Sequence, residues 1–165
     1  MKKIKLISLT GIFTAIVFVF TAYFHIPSHT GYTHIGDAFI YLAACILPLP
    51  YGIFVGAVGA LLADCLTGFA LWAPATIIIK SVSVILFCRN GKIITLKNCL
   101  ALFASSALCI GGYYLYEAIL TGNFIAALAG IPGYVTQSIL SSILFIFVGI
   151  SCDKLKIKHL INGGK

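Results

Sequence analysis

The chain has 165 residues, of which 61% are hydrophobic and 9% charged, with a mean hydropathy of +1.09 and a formal net charge of +7. Soluble domains carry about 25% charged residues, so this composition excludes a water-facing surface over most of the molecule. Ten of the eleven Lys and Arg residues lie in three polar islands between apolar runs, so the charge marks the ends of membrane spans and not a nucleic-acid-binding face.

The first island is Lys2, Lys3 and Lys5, and the apolar run 6–24 that follows is long enough to span a bilayer. No small-x-small cleavage site follows it, so it reads as a retained helix. Residues 27–36 (PSHTGYTHIG) are polar and aromatic and are expected to form an external loop. A second run, 37–46, ends at Pro48 and Pro50, which break a helix. The third, 52–66, carries Gly52, Gly56, Gly59, Ala60 and Ala63, a small-residue face suited to close helix packing. After a short link at 67–72, Pro74 opens a fourth run that reaches Cys88.

Arg89, Lys92 and Lys97 form the middle island around an Asn90-Gly91 turn. A fifth run covers 98–116, residues 117–133 read as an outer loop with a partial helix, and a sixth run covers 134–152. The last island is Lys154, Lys156, Lys158 and Lys165. Cytoplasmic retention of basic residues then implies an all-α bundle of six transmembrane helices. Residues 1–165 would form one domain with both termini and the 89–97 turn in the cytoplasm. The implied localisation is a multi-pass protein of a cell membrane. Runs two to four are short for unaided spans, so that half is expected to be tightly packed and kinked.

Six cysteines fall in or beside apolar runs without CxxC spacing, so they read as small buried apolar groups. Lys80 is a cation stranded in an apolar run, where charge is costly and usually functional. It snorkels to the interface, pairs with Asp64 or Asp37 to hold helices together, or contacts a ligand, and the structural and ligand roles can coexist. Asp37, Asp64 and Glu117 sort to outer helix ends, which favours a pocket open to the outside. Glu117 follows Tyr113, Tyr114 and Tyr116 and is either a pocket acid or part of an interfacial belt. Trp72 is either a belt residue or suited to stacking on a flat ring, Gln137 is a candidate hydrogen-bonding amide for a ligand or a neighbouring helix, and Tyr32 and Tyr113 complete the candidate substrate site. His25, His29 and His34 match no compact metal site, so no metal is expected. Neither a catalytic constellation nor a phosphate-binding loop is present, so no enzyme activity and no cofactor are expected, and energised transport needs an ATPase partner.

Residues 31–80 (GYTHIGDAFIYLAACILPLPYGIFVGAVGALLADCLTGFALWAPATIIIK) resemble the substrate-binding S components of energy-coupling factor (ECF) vitamin transporters. The matching pieces are Gly36-Asp37, a glycine-rich helix ending in Ala63-Asp64, Gly68, and Ala73-Pro74-Ala75-Thr76 followed by Lys80. The group it is most similar to is associated with hydroxymethylpyrimidine and pyridoxine-type substrates, in which His34 would be Asn. Cobalt and nickel members carry an N-terminal Met-His that Met1-Lys2-Lys3 lacks. The resemblance implies a prokaryotic plasma membrane, with capture of a vitamin or precursor from outside and delivery through a transmembrane coupling subunit with two ATPase subunits. Gly11 and Ala15 form a small-xxx-small step that serves either partner docking or packing within the bundle. A small facilitator that works without ATPases, or a structural subunit of a membrane complex, is the alternative reading.

Overall fold

The computed structural model describes residues 3–27 and 32–162, so Lys2, His29, Gly31 and Lys165 lie outside the described residues. The chain runs α1 (Lys3–Ala22), β1 (His25–Pro27), β2 (Tyr32–His34), α2 (Asp37–Ile46), α3 (Leu49–Leu66), a 3-10 turn (Ala70–Trp72) and α4 (Ala73–Leu86). It continues with α5 (Leu96–Thr121), α6 (Phe124–Ala127), a second 3-10 turn (Leu128–Gly130), α7 (Ile131–Lys154) and α8 (Ile157–Asn162). The architecture is an all-α membrane protein with one small hairpin. The helices α1, α3 and α5 and the stretch Phe124–Lys154 are long and apolar enough to cross a bilayer, whereas Asp37–Ile46 and Ala70–Leu86 are shorter.

Local chemistry sets the helix ends. Leu47 is extended ahead of Pro48, as the residue before a proline prefers, and this stops α2. Proline occupies the first turn of α3, α4 and α7, where no intrahelical donor is lost. The sequence places Pro50 in a turn, but the structure uses it to start α3. At the head of α5 the Thr95 side chain accepts from the Asn98 amide. That helix passes the expected stop near Tyr116 and ends at Gly122, a left-handed C-cap with φ of 64°.

The ten residues of α2 form the centre of the bundle. All but Phe39 are buried, and the helix packs against α1, α3, α4 and α7. Its middle meets an aromatic layer in which Tyr41 stacks on Phe87 at 4.9 Å and Phe145 meets both rings edge-on. The glycine face of α3 is buried as expected. Gly59 lets α1 approach: a Cβ there would lie 2.9 Å from Val17 Cβ and 3.1 Å from the Thr14 carbonyl oxygen.

The described members of the basic islands converge at one end. Lys5 Nζ donates to the Leu160 carbonyl at 3.2 Å, and Lys158 Nζ donates to the carbonyls of Arg89 and Gly91 at 2.6 and 2.8 Å. Asp153 accepts from the amides of Ile93 and Ile94 at 2.8 and 2.9 Å. Buried Asn98 bonds Cys88 and the Ile93 carbonyl and meets Cys45 at the foot of α2. All six cysteines are free thiols; Cys45 and Cys109 are buried and Cys65 is exposed.

The two small-residue steps differ in their surroundings. Gly11 and Ala15 are exposed, and a Cβ at Gly11 meets nothing within 4 Å. Overpacking a close helix contact costs about 1–3 kcal/mol, whereas a helical Gly→Ala change in open space gains up to about 1 kcal/mol. Gly59→Ala should therefore lower the thermal unfolding temperature in detergent, and Gly11→Ala should leave it unchanged or raised. The reverse order would show that the α1–α3 contact does not depend on Gly59.

Candidate functional site

At the end opposite the basic cluster, the starts of α2, α4 and α7 meet the hairpin and the last turns of α3 and α5. A cavity of about 30 Å³ lies there, lined by Tyr32, His34, Asp64, Trp72, Thr76, Tyr113, Tyr134 and Gln137. The Pro74-initiated α4 delivers Thr76 and the 3-10 turn before it delivers Trp72, and Tyr116 fixes that turn by donating to the Leu71 carbonyl at 2.7 Å. Trp72 meets Tyr113, Tyr116 and Tyr134 at 6.0, 5.8 and 6.4 Å between ring centroids, and Tyr113 stacks on Tyr134 at 5.4 Å. Aromatic walls with a few converging polar groups are the usual composition of a small-molecule pocket.

Five candidates named from the sequence line this cavity: Trp72, Gln137, Tyr32, Asp64 and Tyr113. Lys80, Asp37 and Glu117 lie one layer behind it. Lys80 is fully buried, with Nζ 2.8 Å from each carboxylate oxygen of Asp37, 3.7 Å from Cys109 Sγ and 5.2 Å from the centre of the Tyr113 ring. Gln137 Nε2 donates to Asp37 Oδ2 at 2.9 Å, so one carboxylate joins α2, α4 and α7. Glu117 Oε2 accepts from the Tyr134 hydroxyl at 2.7 Å and thereby orients a wall residue. The alternative pairing of Lys80 with Asp64 is not made.

The hairpin closes the site. His25 pairs with His34 across it, Tyr32 donates its hydroxyl to Asp64, and Thr33 donates to the Gly133 carbonyl at 3.3 Å. Burial first, and the Asp64 charge second, push the Tyr32 hydroxyl above its ordinary range, so it stays a protonated donor. Gly36 has no room for a side chain, because an added Cβ would overlap Thr21 Oγ1. Its amide donates to His34 Nδ1 at 3.2 Å. Sequence reasoning did not place His34, Thr76 or Tyr134 in the site. Thr76 stands in the Ala73-Pro74-Ala75-Thr76 motif and Tyr134 one turn before Gln137, and those were the available signals. Among the described residues no group of His, Cys, Asp and Glu is placed to hold a metal.

Burial pushes the His34 imidazole down to about 4, with Asp37 opposing the shift and Lys80 and His25 adding to it. An unfolded histidine titrates at about 6.5. Between those values the unfolded chain takes up a proton that the folded chain excludes. The stability from neutral His34 is therefore complete above about pH 6.5 and is lost as pH falls towards 4. The melting temperature of the parent chain should fall more between pH 7 and pH 4.5 than that of His34→Gln. Equal losses would contradict a neutral, buried His34.

The family model described as "ECF-type riboflavin transporter, S component" matches residues 1–153. No curated protein matches the chain. The match spans all six apolar stretches and every residue around the cavity, and it accords with the membrane character and the absence of a catalytic set. The chain belongs to the ECF-type riboflavin transporter S-component family, whose members are substrate-binding subunits of membrane transporters and not enzymes.

Proposed function

We propose that this chain is the substrate-capture subunit of an energy-coupling factor importer, taking a small single-ring heteroaromatic vitamin or precursor of the hydroxymethylpyrimidine or pyridoxine kind from outside a prokaryotic cell. Residues 1–165 act as one domain with six crossings and both termini in the cytoplasm; α2 and α4 cross as short helices packed inside the bundle. The observation that carries the reading is the aromatic cavity with converging polar groups at the end opposite the basic islands. Basic residues are retained inside, so this cavity opens outward.

Trp72, Tyr113 and Tyr32 supply flat faces for a ring, and Gln137 and Asp64 supply hydrogen-bonding groups. Lys80, Asp37 and Glu117 hold those side chains in position. The cavity volume of about 30 Å³ is room for one or two waters, so a ligand must part the walls. The hairpin, whose described residues are tied through Tyr32–Asp64 and Thr33–Gly133, is the wall that moves. A single ring asks for less displacement than the three-ring system of riboflavin, which is the competing substrate suggested by the family's description.

Delivery inward uses a transmembrane coupling subunit and two ATPase subunits. Gly11 and Ala15 on the open face of α1 form the docking step, beside a groove of about 390 Å³ lined by Ile7, Thr10, Pro50, Tyr51 and Phe54. Their exposure favours docking over internal packing.

Trp72 is the chain's single tryptophan, so ligand binding should change its fluorescence. Mass spectrometry of molecules carried through purification should find a one-ring nitrogen heterocycle, and Trp72→Ala should weaken its binding by about tenfold to a hundredfold. Recovery of riboflavin alone would replace the single-ring substrate. Gly11→Leu and Ala15→Leu should leave binding to the isolated chain intact while reducing uptake by the whole complex. Accumulation by the isolated chain without ATP would favour the facilitator alternative.

A further inference from the structure

The polar groups around the cavity have hydrogen-bonding senses fixed by their neighbours. A backbone amide can only donate, so the bond from Gly36 N–H to His34 Nδ1 puts the imidazole proton on Nε2. His34 therefore offers the cavity an N–H donor. An ionised carboxylate can only accept, so Gln137 turns its amide nitrogen to Asp37 and keeps its carbonyl oxygen for a ligand. Asp64 Oδ1 receives the Tyr32 hydroxyl, while Oδ2 is buried without a hydrogen-bond donor. His34 and Asp64 flank the same ring, Tyr32, whose centroid is 5.5 Å from that of His34.

Charge adds a second constraint. Among the described residues Lys80 is the one fully buried cation, and both oxygens of Asp37 engage it. Asp64 has no cation of its own, and Glu117 Oε1 behind Tyr134 is likewise buried without a partner. The site thus carries a surplus of carboxylate.

Building on the capture reading above, we propose that His34 and Asp64 set the specificity of this site. The ligand places an acceptor atom against His34 Nε2–H and an N–H or O–H donor against Asp64 or Gln137, and the site refuses the phosphorylated form of the same compound. A phosphate ester would bring a charge of about −1.5 to −2 towards buried carboxylates in a low-dielectric site, with no free cation among the described residues to receive it. A phosphorylated compound would first need hydrolysis of its ester outside the cell.

The test uses Trp72 fluorescence of the purified chain with three pairs of probes: pyridoxine and its 5′-phosphate, 4-amino-5-hydroxymethyl-2-methylpyrimidine and its phosphate ester, and riboflavin and flavin mononucleotide. In whichever pair binds, the free compound should bind about a hundredfold or more tightly than its phosphate, and Asp64→Asn should narrow that gap about tenfold. His34→Phe should weaken the free compound by about tenfold to a hundredfold, and His34→Gln, which can still donate, should recover part of the loss. Melting temperatures verify that each variant is folded, and the Gln variant carries the comparison if Phe is not. A phosphate that binds as well as the free compound, or full affinity in folded His34→Phe, would overturn the proposal. Binding of riboflavin alone would overturn the single-ring substrate and leave this inference to be judged on the flavin pair. Silence across all three pairs would overturn both.

Discussion

A lysine ammonium and an aspartate carboxylate meet at 2.8 Å inside the bundle, both almost entirely removed from solvent. Neither could stay charged alone in an apolar interior, because removing one partner of such a pair costs about 3–5 kcal/mol. Lys80 comes from the second turn of α4 and Asp37 from the first residue of α2, where the helix dipole also favours a negative charge. Gln137 of α7 bonds the same carboxylate. This one contact ties three helices at the level of the cavity floor, and the cavity's geometry depends on it: it anchors α4, which carries Thr76, and sets which way the Gln137 amide faces.

The two ends of the bundle divide the work. At the basic end, Asn98, Asp153 and Lys158 bond backbone groups of Cys88, Arg89, Gly91, Ile93 and Ile94, so an irregular segment is held against α5, α7 and α8. At the other end the described hairpin residues Tyr32 and Thr33 bond Asp64 and the Gly133 carbonyl, and one carboxylate oxygen of Asp64 makes no hydrogen bond. Buried polar atoms without partners are costly, and a ligand that supplies the missing donor relieves that cost.

Much of this was legible in the sequence. Pairing of the lone lysine with Asp37 was one of the readings the sequence offered, and the separation of cations from acids along the chain pointed to two chemically distinct ends. Trp72, Gln137, Tyr32, Asp64 and Tyr113 were recognisable because aromatic and polar residues at helix ends are unusual in an apolar chain. Other features depend on which helices become neighbours, which local pattern does not carry. Gly11 and Gly59 look alike in sequence, yet one faces open space and the other receives Val17. Glu117 read as a place for α5 to end, but the Tyr134 hydroxyl satisfies it and the helix continues to Thr121. His34 acquires its role from the Gly36 amide two residues on, and strands of three residues have too little periodicity to announce a hairpin.

The most direct measurement is a double-mutant cycle on Lys80→Met and Asp37→Asn, reading both unfolding free energy and Trp72-reported ligand binding. If the pair holds the site, each single change lowers stability and weakens binding. The double variant should then lose less than the sum of the two, with a coupling of about 1–3 kcal/mol. Additive losses in stability with unaltered ligand affinity would show that the cavity does not depend on this ion pair.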